Sequence, residues 1–287
     1  MAGDAKSRLR WHLKAERAFG LKTVPIHPIG EMPQDDLPPS QCADESDRPA
    51  APSPVAPVVR QTLAQTQKRV EALFAPDPNA PAFDAPVLSP DDKRRRLIAL
   101  DENEVRGCTK CRLCEKRTNT VFGEGDPDAK IFFIGEGPGE NEDLQGRPFV
   151  GRAGELLNKW IAAMGLRREQ VFIANIVKCR PPGNREPAPD ETATCTPYLQ
   201  RQLEIVRPHV IITLGRPSAQ YMLQSKLSMG KLRGNWHAWR GIKLMPTYHP
   251  AYVLRQYTVE TRRAVWDDLQ KVMKELNLPL PKRQGEG

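Results

Sequence analysis

From Lys130 onward, apolar and polar positions along the chain follow two alternating periods. Lys130 to Ile134 has the length and composition of a strand, and Ala153 to Met164 that of a helix, with Leu156, Leu157, Trp160, Ile161 and Met164 recurring at helical spacing. Val171 to Val177 is strand-like and precedes a helical stretch from about Asp190 to Val206, and His209 to Leu214 leads into a helix near Pro217 to Leu223. A last strand, Lys243 to Thr247, meets a loop at His249, and a helix runs from about Glu260 to Leu276. Strands alternating with helices predict an α/β fold with a parallel sheet and helices on both faces. Ligands in that layout collect beyond the carboxyl ends of the strands. Gly135 to Gly139, Asn175 and His249 all fall there.

The N-terminal third is patterned differently. Of the 28 prolines, 14 lie in the first 100 residues, nine of them between Pro25 and Pro57 among Ala, Ser, Asp and Gln. Such a stretch cannot bury enough apolar surface to pack a core, so residues 1–90 are expected to be a Pro-rich, largely disordered extension and linker. Short helices are possible over residues 1–24 and 60–74, the second with Val70, Leu73 and Phe74 on one side. Pro90, Asp91 and Asp92, opening a Lys/Arg/Leu run, have the character of a helix N-terminus, so the folded domain is expected to span residues 91–280.

Charge narrows the class of partner. The formal net charge is +8, and Lys plus Arg against Asp plus Glu is 14 to 13 over residues 1–100 but 29 to 22 over the rest. The excess sits in the folded part, which suits a polyanion such as nucleic acid. No apolar run approaches the ~18 residues of a spanning helix, so no membrane partner is expected. The first twenty residues lack an apolar h-region, and Asp4 and Glu16 argue against a transit peptide, which makes a soluble, cytoplasmic protein the expectation.

Six cysteines add a metal centre to the picture. Cys108 and Cys111 form a C-x2-C pair, and Cys179 and Cys195 follow the second strand and enter the next helix. Two such pairs can supply the four thiolates of an iron-sulfur cluster or a zinc site. Cys108, Cys111 and Cys114 also match the start of a ferredoxin-type run, but Thr118 and Thr120 stand where the next cysteine is needed, which makes Cys114 a bystander. Cys42 is expected to be a free thiol.

The loop Gly135-Glu136-Gly137-Pro138-Gly139 follows a strand without being a phosphate cradle. Position 140 is Glu, and Pro138 removes an amide hydrogen that a phosphate would use. No GK[ST] is present either. What the loop offers is close backbone approach and the acidic side chains Glu136, Glu140, Glu142 and Asp143 at the ligand edge. His209 and His237 are expected to be structural.

Taken together, Glu136-Gly137-Pro138-Gly139, Gly146-Arg147-Pro148-Phe149-Val150-Gly151, Asn175-Ile176-Val177-Lys178-Cys179-Arg180-Pro181-Pro182 and His249-Pro250-Ala251-Tyr252 closely resemble the family 4 uracil-DNA glycosylases. The likeness covers about residues 105–276. It implies a three-layer α/β/α sandwich with a central four-stranded parallel sheet, and a 4Fe-4S cluster on Cys108, Cys111, Cys179 and Cys195. Its implied activity is excision of uracil from single- or double-stranded DNA by a monomeric repair enzyme. In the roles it implies, Phe149 stacks on the everted base, Asn175 reads the base edge, Glu142 stands against the 5-methyl of thymine, and His249 donates to uracil O2.

Other glycosylase families carry an Asp where Gly137 stands, so Glu136 is expected to support the sugar cation or position water. Pro250, Tyr252, Leu254 and Arg255 are expected to form a loop that enters the duplex, and Lys178, Arg180, Lys231 and Arg233 to hold phosphates. Two rivals share much of this: a non-catalytic iron-sulfur DNA-binding protein, and a relative that traps the abasic sugar covalently. The latter carries a basic, histidine-containing insertion after the glycine loop, and none lies between Gly139 and Phe149.

Overall fold

In the computed structural model, which describes residues 82–83 and 86–279, six strands follow in chain order: β1 (Glu124–Gly125), β2 (Ile131–Gly135), β3 (Phe172–Asn175), β4 (Val210–Leu214), β5 (His237–Trp239) and β6 (Ile242–Thr247). All described residues lie within the unit Val55–Gly287. The Pro-rich stretch, the helices expected over residues 1–24 and 60–74, and Cys42 are outside them.

The strands form one sheet in the order β1-β3-β2-β4-β6-β5. The inner four run parallel, with Gly135 opposite Asn175 and Leu214 opposite Thr247, so their carboxyl ends come out on one edge. This is the expected four-stranded parallel core, widened by an antiparallel strand at each side. Neither edge strand has a readable apolar alternation. β1 is two residues long, and a Cβ on Gly125 would lie 1.8 Å from the Val171 carbonyl oxygen, so no side chain fits there. β5 joins β6 through Arg240 and Gly241, both at positive φ, which gives the two-residue hairpin turn that matches strand twist.

Eight α-helices accompany the sheet among the described residues: α1 (Pro90–Leu100), α2 (Glu140–Gln145), α3 (Arg152–Ala163), α4 (Pro189–Val206), α5 (Arg216–Leu223), α6 (Met229–Leu232), α7 (Pro250–Arg255) and α8 (Val259–Glu275). Side chains alternate across each strand, and this sorts the core into two faces. Phe132, Ile134, Phe172, Ala174, Ile211 and Leu244 pack on one side with Leu97 and Leu100 of α1 and Tyr198, Leu199, Leu203 and Val206 of α4. Ile131, Phe133, Ile173, Ile212 and Met245 pack on the other with Leu157 and Ile161 of α3 and Val265, Leu269 and Val272 of α8. Burying each large apolar side chain is worth ~1.5–3 kcal/mol, so the three layers are held chiefly by these two faces.

α1 begins where the sequence places it. The Ser89 hydroxyl accepts from the Asp92 N–H at 3.2 Å, Pro90 occupies the first turn, and Asp91 and Asp92 complement the helix dipole. Lys93, fully buried, donates from Nζ to the Val206 carbonyl at the end of α4, tying the first helix to the domain.

Two expectations are corrected. The acidic stretch 140–145 is the helix α2 rather than a loop, and two of its carboxylates turn inward: Asp143 accepts from the Thr118 N–H at 3.0 Å and Glu142 from the Val150 N–H at 3.0 Å. Residues 250–255 are also a helix rather than a loop. His249 caps it, and Pro250 sits at its first position, where the missing N–H costs nothing.

Candidate active site and cysteine centre

A cleft of about 760 Å3 opens at the carboxyl edge of the parallel strands, with Glu136, Phe149, Asn175, Gly215 and His249 in its wall. Four strand ends contribute: Glu136 follows β2, Asn175 ends β3, Gly215 follows β4 and His249 follows β6. The residues singled out from the sequence as base-contacting therefore converge, though they are dispersed over more than a hundred positions.

Asn175 is buried, and its Oδ1 has no hydrogen-bond partner. An orphaned acceptor of this kind is costly unless a ligand satisfies it. A Cβ placed on Gly135 would fall 2.3 Å from that oxygen and 2.7 Å from Phe149 Cζ. The carboxamide and the aromatic ring thus meet at one point, and only a glycine leaves room there.

His249 follows β6 with its ring centroid 5.6 Å from that of Phe149. The Ala251 N–H donates to its Nδ1 at 3.0 Å, so in the neutral ring the proton resides on Nε2. Burial, with the Arg255 charge second, pulls the imidazole down to about 4, which keeps it neutral near pH 7. Gly215, at φ +92°, makes this fit possible: a Cβ there would lie 2.9 Å from His249 Cβ.

Glu142 lines the cleft, but its Oε1 accepts from the Val150 and Gly151 N–H groups at 3.0 and 3.1 Å. That carboxylate is anchored to the loop carrying Phe149. Glu136 is partly buried and pushed up to about 6, chiefly by burial and then by Glu186, with Arg216 acting in the opposite sense. A Cβ on Gly137 would meet Val177 Cγ2 at 2.8 Å, so a side chain added at that position must displace the Val177 side chain.

The expected phosphate contacts divide. Lys178 is not one of them: it is fully buried, donating from Nζ to the Asn175 carbonyl at 2.8 Å and to Gln202 Oε1 at 2.6 Å. Burial lowers its ammonium to about 8. Arg233 is also committed internally, to Asp268 at 2.8 and 3.1 Å and over the Tyr248 ring at 5.4 Å. Pro250 is buried inside the first turn of α7 and cannot act as a wedge, whereas Tyr252 and Arg255 are exposed at the cleft and Leu254 is half-buried. Lys231 is exposed, and Arg180 is half-buried, donating to Asn184 Oδ1 at 2.8 Å and pairing with Glu140 at 3.5 Å. The sequence reading missed Arg185 and Arg216 in the cleft wall, because an arginine carries no pattern that distinguishes a lining cation from any other.

Behind the cleft, Cys108, Cys111, Cys179 and Cys195 line one small cavity, and Cys114 is not among its lining residues. Among the described residues no group of His, Cys, Asp and Glu stands arranged to hold a metal ion directly. The donor set nevertheless suits a sulfur-ligated group. The Lys178 N–H points at Cys195 Sγ (3.2 Å), Arg117 donates to Cys179 Sγ (3.0 Å), and the Tyr198 hydroxyl lies 3.4 Å from Cys108 Sγ. Such contacts stabilise thiolates. Burial above all, with Lys178 acting in the opposite sense, pushes the Cys195 thiol up to about 12. Glu191, fully buried and held down to about 2 chiefly by Arg185, bonds Arg185 of the cleft wall and Arg112 of the cysteine loop at 2.7 Å each.

Comparison with known proteins gives a consistent result. The family model of the uracil DNA glycosylase superfamily matches residues 122–270. The chain is 51% identical over 189 residues to the type-4 uracil-DNA glycosylase of Saccharolobus solfataricus, covering 63% of this chain and 87% of that one. It is 48% identical over 180 residues to the type-4 enzyme of Thermotoga maritima, covering 62% and 94%, and 44% identical over 186 residues to that of Archaeoglobus fulgidus, covering 61% and 92%.

Proposed function

Because the chain belongs to the type-4 uracil-DNA glycosylases of the uracil DNA glycosylase superfamily and excises uracil from DNA, we propose that its cleft holds the everted base between the Phe149 ring, the Asn175 carboxamide and the His249 imidazole. The observation that carries this reading is the unpartnered Asn175 Oδ1. In this reading it accepts from uracil N3–H while the amide nitrogen donates to O4. Cytosine offers an unprotonated N3 and an amino group at those positions, so both contacts turn repulsive.

Excision breaks the bond between deoxyribose C1′ and uracil N1, and the electron pair leaves with the base. His249 Nε2–H donates to O2 as that oxygen gains charge; a donor of this kind is worth ~3–4 kcal/mol in the transition state. Its neutrality matters less for strength than for certainty of protonation: the tautomer is fixed by the Ala251 N–H. Positive charge on the sugar is met by the Glu136 carboxylate, and water adds at C1′; the proton it loses passes through solvent to the uracil anion, leaving an abasic site and neutral uracil. Tyr252, Arg255, Lys231 and Arg180 are the cations and aromatic group at hand for flanking DNA. Residues 91–280 form the catalytic domain.

Cys108, Cys111, Cys179 and Cys195 hold a 4Fe-4S cluster in this reading, which cross-links the segment before β1, the end of β3 and α4. The hydrolysis itself needs no electron transfer, so the cluster's contribution is to fix these segments. The test of the whole is a single-turnover assay on a uracil-containing oligonucleotide. Wild-type protein should leave an alkali-labile site with no protein-DNA adduct on a denaturing gel, and N175A should lose ~100-fold or more. Absence of an alkali-labile site with folded wild-type protein would reject the mechanism.

A further inference from the structure

Phe149 is held in a backbone conformation that an aromatic residue rarely adopts, by Glu142 at the cleft and by groups that lie outside it. Its φ is +51°, in the left-handed region. Space for that turn is provided by α3: a Cβ on Gly154 would lie 1.8 Å from the Phe149 carbonyl oxygen. The peptide groups around the turn are gripped from both directions. On one side Glu142 accepts the N–H groups of Val150 and Gly151. On the other, Arg168 donates from Nη2 to the Pro148 carbonyl and from Nη1 to the Phe149 carbonyl at 3.3 Å.

Arg168 is itself held on its remaining edge. Its Nε donates to Glu124 Oε1 at 2.7 Å and its Nη1 to Asn158 Oδ1 of α3 at 2.7 Å, and its side chain is 13% exposed. Arg147 fixes the same Glu124 carboxylate from the opposite side, at 2.8 and 3.1 Å. The planar fork of a guanidinium can serve four acceptors at once, which a lysine cannot. Arg168 is not among the residues lining the cleft and reaches Phe149 only through its backbone carbonyl, and the glycosylase reading above leaves it without a part.

We propose that Arg168 is a positioning residue for base stacking: it locks the left-handed turn that presents the Phe149 ring to the everted pyrimidine. This rests on the reading of Phe149 as the stacking plate. The consequence is a specific pattern of coupling. Removing the fork lets the turn relax, the ring leaves its place, and excision slows, while contacts to the DNA backbone are unaffected.

A double-mutant cycle tests this on the full-length protein with its cysteine centre intact. R168M should slow single-turnover excision by about tenfold or more and leave affinity for undamaged duplex within about twofold. F149A should slow excision at least as much, and R168M/F149A should be no slower than F149A alone. E124Q, which frees the guanidinium without touching the turn, should show the same coupling with a smaller effect, and it carries the test if R168M does not fold. Multiplying slowdowns in the double variant, or an unchanged rate in folded R168M, would overturn the proposal. An unchanged rate in F149A would instead overturn the plate reading on which it stands.

Discussion

Loss of water in the cleft moves Glu136 and His249 in opposite directions, because burial disfavours whichever form is charged. The Glu136 carboxyl is raised to about 6 and the His249 imidazole lowered to about 4. With Glu136 working as the carboxylate, as proposed, the excision rate should rise with pH through about 6 and then level off. His249 is neutral throughout that range and should add no second step near the ordinary histidine value. A single-turnover pH profile checks this, with E136Q predicted to be slow and flat. A rate that instead falls as pH rises through 6 would show that the carboxylic acid is the working form. Asn175 and His249 were legible in the sequence because they fall at predicted strand ends, whereas Phe149 was singled out only by the resemblance of the Gly146–Gly151 motif to the family. The misreading of Lys178 has a simple cause: a lysine beside a strand end reads as a surface cation, and only the core shows Gln202 and the Asn175 carbonyl waiting for it.

At the scale of elements, the site depends on short pieces that sequence periodicity cannot reveal. α2 and α7 have six residues each, less than two turns, too few for an apolar stripe to repeat. The long elements α3, α4 and α8 and the four inner strands were predictable within a few residues, since each presents a sustained apolar face to one of the two cores. What makes the short elements work is glycine at their junctions. G215A should be doubly penalised: its φ of +92° is unfavourable for alanine, and the new methyl meets His249 Cβ at 2.9 Å. We expect a loss of ~1–2 kcal/mol in stability from the backbone term alone. Excision should fall by more than that loss explains, because α7 and its capping histidine must shift together. Chemical denaturation and single-turnover rates measured on the same preparation check this. A destabilised protein with an unchanged rate would show that His249 is not held by this contact.

For the described residues as a whole, the organising features are a cleft on one edge of the sheet and a cavity lined by four cysteines, joined by the chain running from Asn175 at the end of β3 through Lys178 to Cys179. The pairing of distant cysteines was legible because C-x2-C spacing is rare by chance. The buried carboxylate Glu191, linking Arg112 and Arg185 across the same region, was not, since a helix N-terminal acid is common and only burial distinguishes this one. Among the described residues no helix is long and apolar enough to cross a membrane. Freshly prepared anaerobic protein should be brown. C114S should keep that colour and full activity, while C195S should lose both the iron and much of the folded cleft, as read by iron content and thermal melting. A colourless wild type with bound zinc would refute the cluster. The most direct test of the central claim uses duplexes carrying a non-hydrolysable 2′-fluoro-deoxyuridine, with and without a methyl group on N3. If Asn175 Oδ1 receives the N3–H, methylation should weaken wild-type binding by ~30-fold or more, equivalent to ~2 kcal/mol, and should have little further effect on N175A. Equal wild-type affinity for the two duplexes would contradict the account.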